Sequence, residues 1–423
     1  MTVKITAKFD GNLVRTSGSE RYILFKVSAD SEIKTARAPL NLSLIIDRSG
    51  SMSSENKLGL VKQAACFVVE RLSDNDRVNV VVYDDEIRVV TKSTKASKSN
   101  RREIVEAIKK ITTGGSTNLG EGWLTGCREI AEHQGEERYI DTAWLLTDGL
   151  ANVGIVSQEE LTTHATELRK RGISTTAFGV GTDFNEDLLR AMAEKGGGNF
   201  YFIDSSKQIQ NYFEGELGEK LNTVARNLKL SVRFPEGVKV ENLNDYETGK
   251  GDNRLHTFLG DIYAGEEKLI VFKVTIPEGK LSDTVTLNAL LTFSNALTGE
   301  GREMSAEGNS TLTYANDSTC DNQVLDAEVG ELAVKLLAAR AKQEILTANR
   351  SGNYSAAAKI NANFRAQTAA MPVAAPAAAQ VAEEMKVLDE LAQQAEQPLT
   401  AEYAKNVHYG THRVQRSRKD YKK

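Results

Sequence analysis

The sequence predicts an α/β doubly wound domain inserted in or joined to an antiparallel β-sandwich, with an α-helical segment after it. Three observations carry this. Between about residues 40 and 213, apolar strand-like runs alternate with helix-period segments at crossover spacing, which implies a parallel sheet. After Leu228, short alternating runs recur at roughly ten-residue intervals with Gly, Pro and Asn between them, the rhythm of a sandwich. From Gln323 the chain turns helical.

The elements follow in order. Residues 1–37 hold two strand-like runs, "VKITAKFD" and "RYILFKVSAD", separated by turn residues; their style assigns them to the sandwich. Residues 38–216 are the α/β domain. "LSLII" (42–46) is a continuous apolar strand, and Leu58, Val61, Ala65, Val68 and Leu72 then line one face of a helix. "VNVVVY" (78–83) reads as a strand covered on both faces. A helix near 100–110, the loop "TTGGSTNLGEG" and a helix through Ile130 precede "TAWLLT" (142–147). A helix near 157–171, "STTAFGV", a helix near 185–194 and "NFYFID" complete the domain, and a short helix is expected to end near Leu228. Residues 217–318 are the sandwich, and 319–400 a helical hairpin or bundle broken at Pro372 and Pro376. Residues 401–423, with an excess of Arg and Lys, read as a flexible basic tail in which His408 and His412 are discounted as ligands.

Bulk properties exclude several classes. A chain of 423 residues exceeds one ordinary core, and 40% hydrophobic with 26% charged residues describes a globular protein. No run approaches the length of a membrane-spanning helix, and "MTVKITAKFDGN" has no signal-peptide core, so the cytoplasm is the expected location. Cys66, Cys127 and Cys320 are too few and too scattered for a disulfide framework or a zinc site. The net charge of −5 does not nominate nucleic acid as a partner.

The chemistry concentrates at three loops. Ligands bind a doubly wound sheet beyond the carboxyl ends of its strands. There the first strand ends in Asp47, Ser49 and Ser51; the "GGSTNLGEG" loop offers Thr117; and "WLLTDGLAN" presents Asp148. Two carboxylates and three hydroxyls, with no His or Cys among them, suit a hard cation, Mg²⁺ or Mn²⁺ rather than zinc. Ser53 and Ser54 fall outside the pattern and are assigned to the start of the next helix.

"DRSGSM" with Thr117 and Asp148 resembles the DxSxS-based metal-ion-dependent adhesion site of von Willebrand factor type A domains. The resemblance covers about residues 40–213, including "AFGVGTDFNEDLLRAMAEKGGGNFYFI". It implies that Ser49, Ser51 and Thr117 bind the ion directly, while Asp47 and Asp148 act through hydrogen bonds and waters. It also implies an open coordination position that takes a Glu or Asp carboxylate from a partner protein. Mg²⁺ is the expected ion, with Mn²⁺ and Ca²⁺ as alternatives. The layout resembles bacterial proteins that join a type A domain to a β-sandwich and, loosely, the inter-alpha-trypsin inhibitor heavy chains. Intracellular relatives suggest a non-enzymatic adaptor or assembly factor, some members working beside a separate AAA+ ATPase. The rival readings are a metal-dependent phosphoester hydrolase, for which Glu121 is the one further carboxylate near the loops, and an exported surface adhesin.

Overall fold

Eight consecutive residues, Leu40–Asp47, are all buried, and so are Ile140–Thr147 and Ile173–Val180. Such runs form the middle of a sheet covered on both faces. The computed structural model describes residues 3–31, 37–134, 139–296, 303–371 and 374–418.

Three strands come first: β1 (Val3–Phe9), β2 (Leu13–Arg15) and β3 (Ser19–Ala29). The α/β unit then runs β4 (Leu40–Asp47), α1 (Lys57–Arg71), β5 (Arg77–Tyr83), β6 (Ile87–Lys95), α2 (Lys98–Lys109), α3 (Leu119–Ala131) and β7 (Ile140–Thr147). It closes with α4 (Gln158–Lys170), β8 (Ile173–Val180), α5 (Glu186–Lys195), β9 (Gly197–Ile203) and α6 (Ile209–Leu221). Its sheet has the order β6-β5-β4-β7-β8-β9 and is parallel except for the edge strand β6, which pairs antiparallel with β5. Helices contribute to one continuous core with the sheet, centred on Ile45, Val80, Trp123, Trp144 and Phe178. Helix α6 carries on past the expected boundary at residue 216.

Seven strands follow: β10 (Thr223–Arg233), β11 (Lys239–Asn242), β12 (Thr248–Gly251), β13 (Arg254–Tyr263), β14 (Glu267–Ile276), β15 (Thr284–Asn295) and β16 (Glu303–Ala315). They form two sheets together with the first three strands, of orders β1-β3-β14-β11 and β12-β13-β10-β15-β16-β2. Strand β3 pairs with β14 along its whole length, so the α/β unit is spliced between strands of one layer. Ile23, Phe25 and Phe272 from one sheet meet Leu230, Leu287 and Leu312 from the other in a shared core. Because strand residues alternate in direction, Tyr22, Leu24 and Val271 point the opposite way, into a helical layer. A helix ending near Leu228 is not present: Thr223–Arg233 is strand, pairing with both β13 and β15. Asn227, at a φ of +56°, marks the irregular register that lets this polar stretch bridge two neighbours.

The helical layer comprises α7 (Asp317–Asp321), α8 (Ala327–Arg350), α9 (Ala356–Ala369), α10 (Ala375–Gln394) and α11 (Ala401–Arg416). Among the described residues, no helix is long and apolar enough to cross a membrane. Pro372 lies outside the described residues, as do residues 419–423 of the basic end.

Residues 401–416 correct the expectation of a flexible tail. They form α11, in which Lys405, His408, Tyr409 and His412 are buried on one face. That face packs on α8 and on β9 of the α/β unit. Tyr409 stands edge-on to Phe200 and Phe202, with ring centroids 6.2 and 6.4 Å away. Lys405 Nζ donates to Phe184 O at 2.7 Å and pairs with Glu186; His408 Nε2 lies 3.3 Å from Asp187 Oδ1, and His412 Nδ1 lies 3.1 Å from Glu194 Oε1. The physical reason for the miss is that the docking face is polar: cations and imidazoles seek the acidic side of α5, and apolar periodicity is blind to that.

His408 and Arg350 beside Asp187 hold its carboxyl down at about 2. A depressed carboxylate stabilises the docked state above its unfolded pKa, and the contribution is lost as pH falls through the folded value. Acidification from about pH 4 to 2 is therefore expected to loosen α11 first. Amide hydrogen exchange should rise in residues 401–416 before it rises in β4 and β7. Simultaneous loss of protection would contradict this order.

Candidate metal centre

Asp47 ends β4 and Asp148 follows β7, the adjacent strand, so the two carboxylates emerge side by side at the carboxyl rim of the sheet. Both are fully buried. Asp47 accepts two hydrogen bonds, from the Ser49 amide at 2.8 Å and from Thr147 Oγ1 at 2.5 Å. Burial nonetheless pushes its carboxyl up to about 6, a sign that its negative charge lacks a full counter-charge.

The chain turns sharply after Asp47. Ser49 Oγ and Ser51 Oγ come within 3.2 Å of each other, and Ser51 Oγ donates to Asp148 Oδ1 at 2.6 Å. Ser53 and Ser54 bond back to the carbonyls of Gly50 and Ser51, closing a 3-10 turn over Gly50–Asn56 without capping α1.

The Thr117 loop is tied to this turn by reciprocal backbone bonds: Gly114 N donates to Arg48 O at 2.7 Å, and Gly50 N to Gly115 O at 2.9 Å. Asp84 accepts from the Gly115 amide at 3.0 Å and from Arg48 Nη2 at 2.9 Å, while Asp85 accepts from the Ser116 amide at 3.2 Å. Glycine leaves room for these carboxylates: a Cβ on Gly114 would sit 1.7 Å from the buried Asp84 Oδ2, and one on Gly115 would sit 2.0 Å from Oδ1 of the exposed Asp85. On its other side, Thr117 donates its amide to Asn152 Oδ1 at 3.0 Å, and its carbonyl accepts from the amides of Asn152 and Val153. Thr117 Oγ1 and Ser51 Oγ thereby lie 3.5 and 3.8 Å from one point, the place a Cβ on Gly149 would take.

The structure thus brings Asp47, Ser49, Ser51, Thr117 and Asp148 to one rim. The donor set is all oxygen, it carries two buried carboxylates, and one of these has an uncompensated charge; that fits a hard divalent cation. Among the described residues, no cluster of three or more His, Cys, Asp or Glu offers a different kind of site. Glu121, the further carboxylate considered for hydrolysis, pairs instead with Arg128 Nη2 at 2.8 Å on the face of α3. The three cysteines are free thiols, and burial raises those of Cys66 and Cys127.

Sequence reasoning missed four supports: Lys57, Asp84, Thr147 and Asn152. Lys57 carried a legible signal. A lysine that opens a helix faces the positive end of the helix dipole, and the first turn of α1 holds no acidic residue to offset it. Its ammonium in fact donates to Asp148 Oδ2 at 2.8 Å.

Residues 41–215 match the family model of the von Willebrand factor type A domain. The uncharacterized protein YfbK of Escherichia coli is 32% identical over 254 residues, covering 57% of this chain and 43% of that protein. The chain therefore spans less than half the length of that relative. Solved structures that share the fold include two that match most of the chain. A von Willebrand factor type A protein from Catenulispora acidiphila has a TM-score of 0.70 at 19% identity, covering 87% of each chain. The ArnB paralog VWA2 from Sulfolobus acidocaldarius has a TM-score of 0.62 at 17% identity, covering 99% of each.

Proposed function

Because residues 41–215 form a von Willebrand factor type A domain, a class that typically mediates metal-dependent protein–protein contacts, we propose that this chain captures a partner protein through a divalent cation at the Asp47/Asp148 rim. The observation that carries the reading is the convergence of three hydroxyl side chains with two buried carboxylates. Asp47, Ser49, Ser51, Thr117 and Asp148 would hold the ion. Mg²⁺ suits this set best, since it favours carboxylate and hydroxyl oxygens and keeps open or water-filled positions. When bound, the ion supplies a Lewis-acidic site for an anionic oxygen, and the matching group on a protein is a Glu or Asp carboxylate.

The residues of the chain do the rest. Asp84, Asp85 and Asn152 fix the Thr117 loop from both sides, so its hydroxyl is pre-organised and little ordering entropy is lost on binding. Helix α11 braces the α/β unit along α5 and β9, and β13 of the two-sheet layer packs on β9. Work as a cytoplasmic adaptor or assembly factor belongs to the same proposal.

Thr117→Ala is the direct test. The backbone of Thr117, not its hydroxyl, makes the bonds to Asn152 and Val153, so the loop should survive the change. In a pull-down from native lysate, partners captured by the wild type in Mg²⁺ should be lost with EDTA and reduced at least tenfold by the substitution, as expected for removal of one ligand. Capture that persists in excess chelator would overturn the reading.

A further inference from the structure

We propose that Lys57 is a built-in counter-ion of the metal centre. It holds the site together without metal and leaves the loaded site with a surplus positive charge, which selects an anionic partner group. This rests on the metal-site reading above and adds the residue that sets its charge.

Three observations converge on Lys57. Its side chain is 8% exposed, and its ammonium lies 2.8 Å from Asp148 Oδ2, whose carboxylate is fully buried. Second, the backbone that delivers it is strained. Glu55 and Asn56 lie consecutively in the left-handed region, at φ +51° and +55°; asparagine accepts this conformation readily, but for the glutamate it costs free energy. The Asn56 side chain folds over Gly59, occupying the space a Cβ there would need, 2.1 Å from Asn56 Oδ1. Third, the turn after β8 closes over the ammonium: a Cβ on Gly181, at φ +75°, would lie 3.3 Å from Lys57 Nζ. Lysine at the start of a helix opposes the dipole, and burial of its stem costs rotamer freedom. A left-handed glutamate, a cation at the positive end of the helix dipole and a buried lysine stem are all unfavourable, and together they point to a role beyond packing.

The charge count gives the role. Asp47 and Asp148 supply −2 and Lys57 +1, so the metal-free site carries −1 and a divalent ion brings it to +1. Without Lys57 the corresponding values are −2 and 0. The lysine therefore weakens cation binding by direct repulsion and strengthens the pull of the loaded site on a carboxylate. Without the lysine the loaded site would be neutral overall, and only the Lewis acidity of the ion would draw the carboxylate.

The test measures Mg²⁺ binding to the full chain by calorimetry, with thermal melts in Mg²⁺ and in EDTA. Lys57→Met should bind Mg²⁺ roughly tenfold or more tightly, because a unit charge a few ångströms from the ion is removed in a partly desolvated site. It should also melt lower in EDTA and show a larger upward shift with Mg²⁺. Lys57→Gln, which can still donate a hydrogen bond to Asp148, should follow it, and Lys57→Arg should stay close to wild type. Asp47→Asn separates the two readings. If it loses Mg²⁺ while Lys57→Met binds no better than wild type, the metal site stands and the counter-ion role is overturned. If Asp47→Asn binds Mg²⁺ as wild type does, the metal site itself fails. Failure of both Lys57→Met and Lys57→Gln to fold even in millimolar Mg²⁺ would assign the lysine to the fold and overturn the proposal.

Discussion

Asp47→Asn is expected to remove Mg²⁺ binding while leaving the metal-free fold at least as stable as wild type. Asparagine keeps the volume of the side chain, its carbonyl can still accept from the Ser49 amide, and the Thr147 hydroxyl can turn to accept from its amide. An alanine would instead orphan both donors in a fully buried position, at a cost of about 1–3 kcal/mol each. The charge term runs the other way. The Asp47 carboxyl sits at about 6 because burial disfavours its ionised form, so a neutral replacement relieves that penalty. Metal affinity has no such compensation: the site loses one of its two carboxylates, and loss of a supporting partner alone costs roughly 10–100-fold. Calorimetry and paired melts in Mg²⁺ and EDTA check both halves. An unchanged Mg²⁺ affinity would exclude Asp47 from the site.

The second large effect lies behind the site, where α3 rests on the sheet through Gly122 and Gly126. A Cβ on Gly126 would lie 2.5 Å from Ile45 Cγ1 and from Ser43 Oγ, and one on Gly122 would lie 2.6 Å from the Tyr83 ring. Helix propensity predicts that Gly126→Ala stabilises by about 1 kcal/mol. The steric term should win, because Ile45 and Ser43 are buried in the central strand and have nowhere to go. We expect Gly126→Ala to destabilise by about 2 kcal/mol net, and Gly126→Val by about 3 kcal/mol or more. For a unit of this size that lowers the melting temperature by roughly 4–8 °C for alanine. Displacement of α3 would also move Asn118, which caps it beside Thr117, so metal affinity should fall in parallel. A more stable Gly126→Ala protein would show that the helix can ride outward freely.

The residues that the structure gathers at the candidate site were legible because residue type and order carry the signal: an apolar strand ending in Asp47-Arg48-Ser49-Gly50-Ser51 needs no tertiary information to stand out. The parallel sheet was legible for a similar reason, since strands buried on both faces are continuous in sequence. Elements held by polar contacts were harder to read. In β6, "IRVVTKSTK" is only half-buried at the sheet edge, so it lacks the apolar run that exposed β4 and β7. The face of α11 is built from Lys405, His408 and His412, whose partners Glu186, Asp187 and Glu194 lie more than 200 residues earlier in the chain. Lys57 escaped notice because the helix was read for its apolar stripe, in which a lysine counts only as a gap.

The splicing of the α/β unit between β3 and β14 has a consequence for how the chain is made. Ile23 pairs with Phe272, 249 residues later in the chain, and all of that length must be synthesised before the contact can form. At 5–20 residues per second, the first strands wait roughly 10–50 s for their partner. The α/β unit, all of whose strands lie between those two, can fold completely in that interval. The apolar hairpin of β1 and β3 meanwhile remains a half-finished sheet with an unpaired edge, so the period on the ribosome is when this protein is most exposed to misassembly.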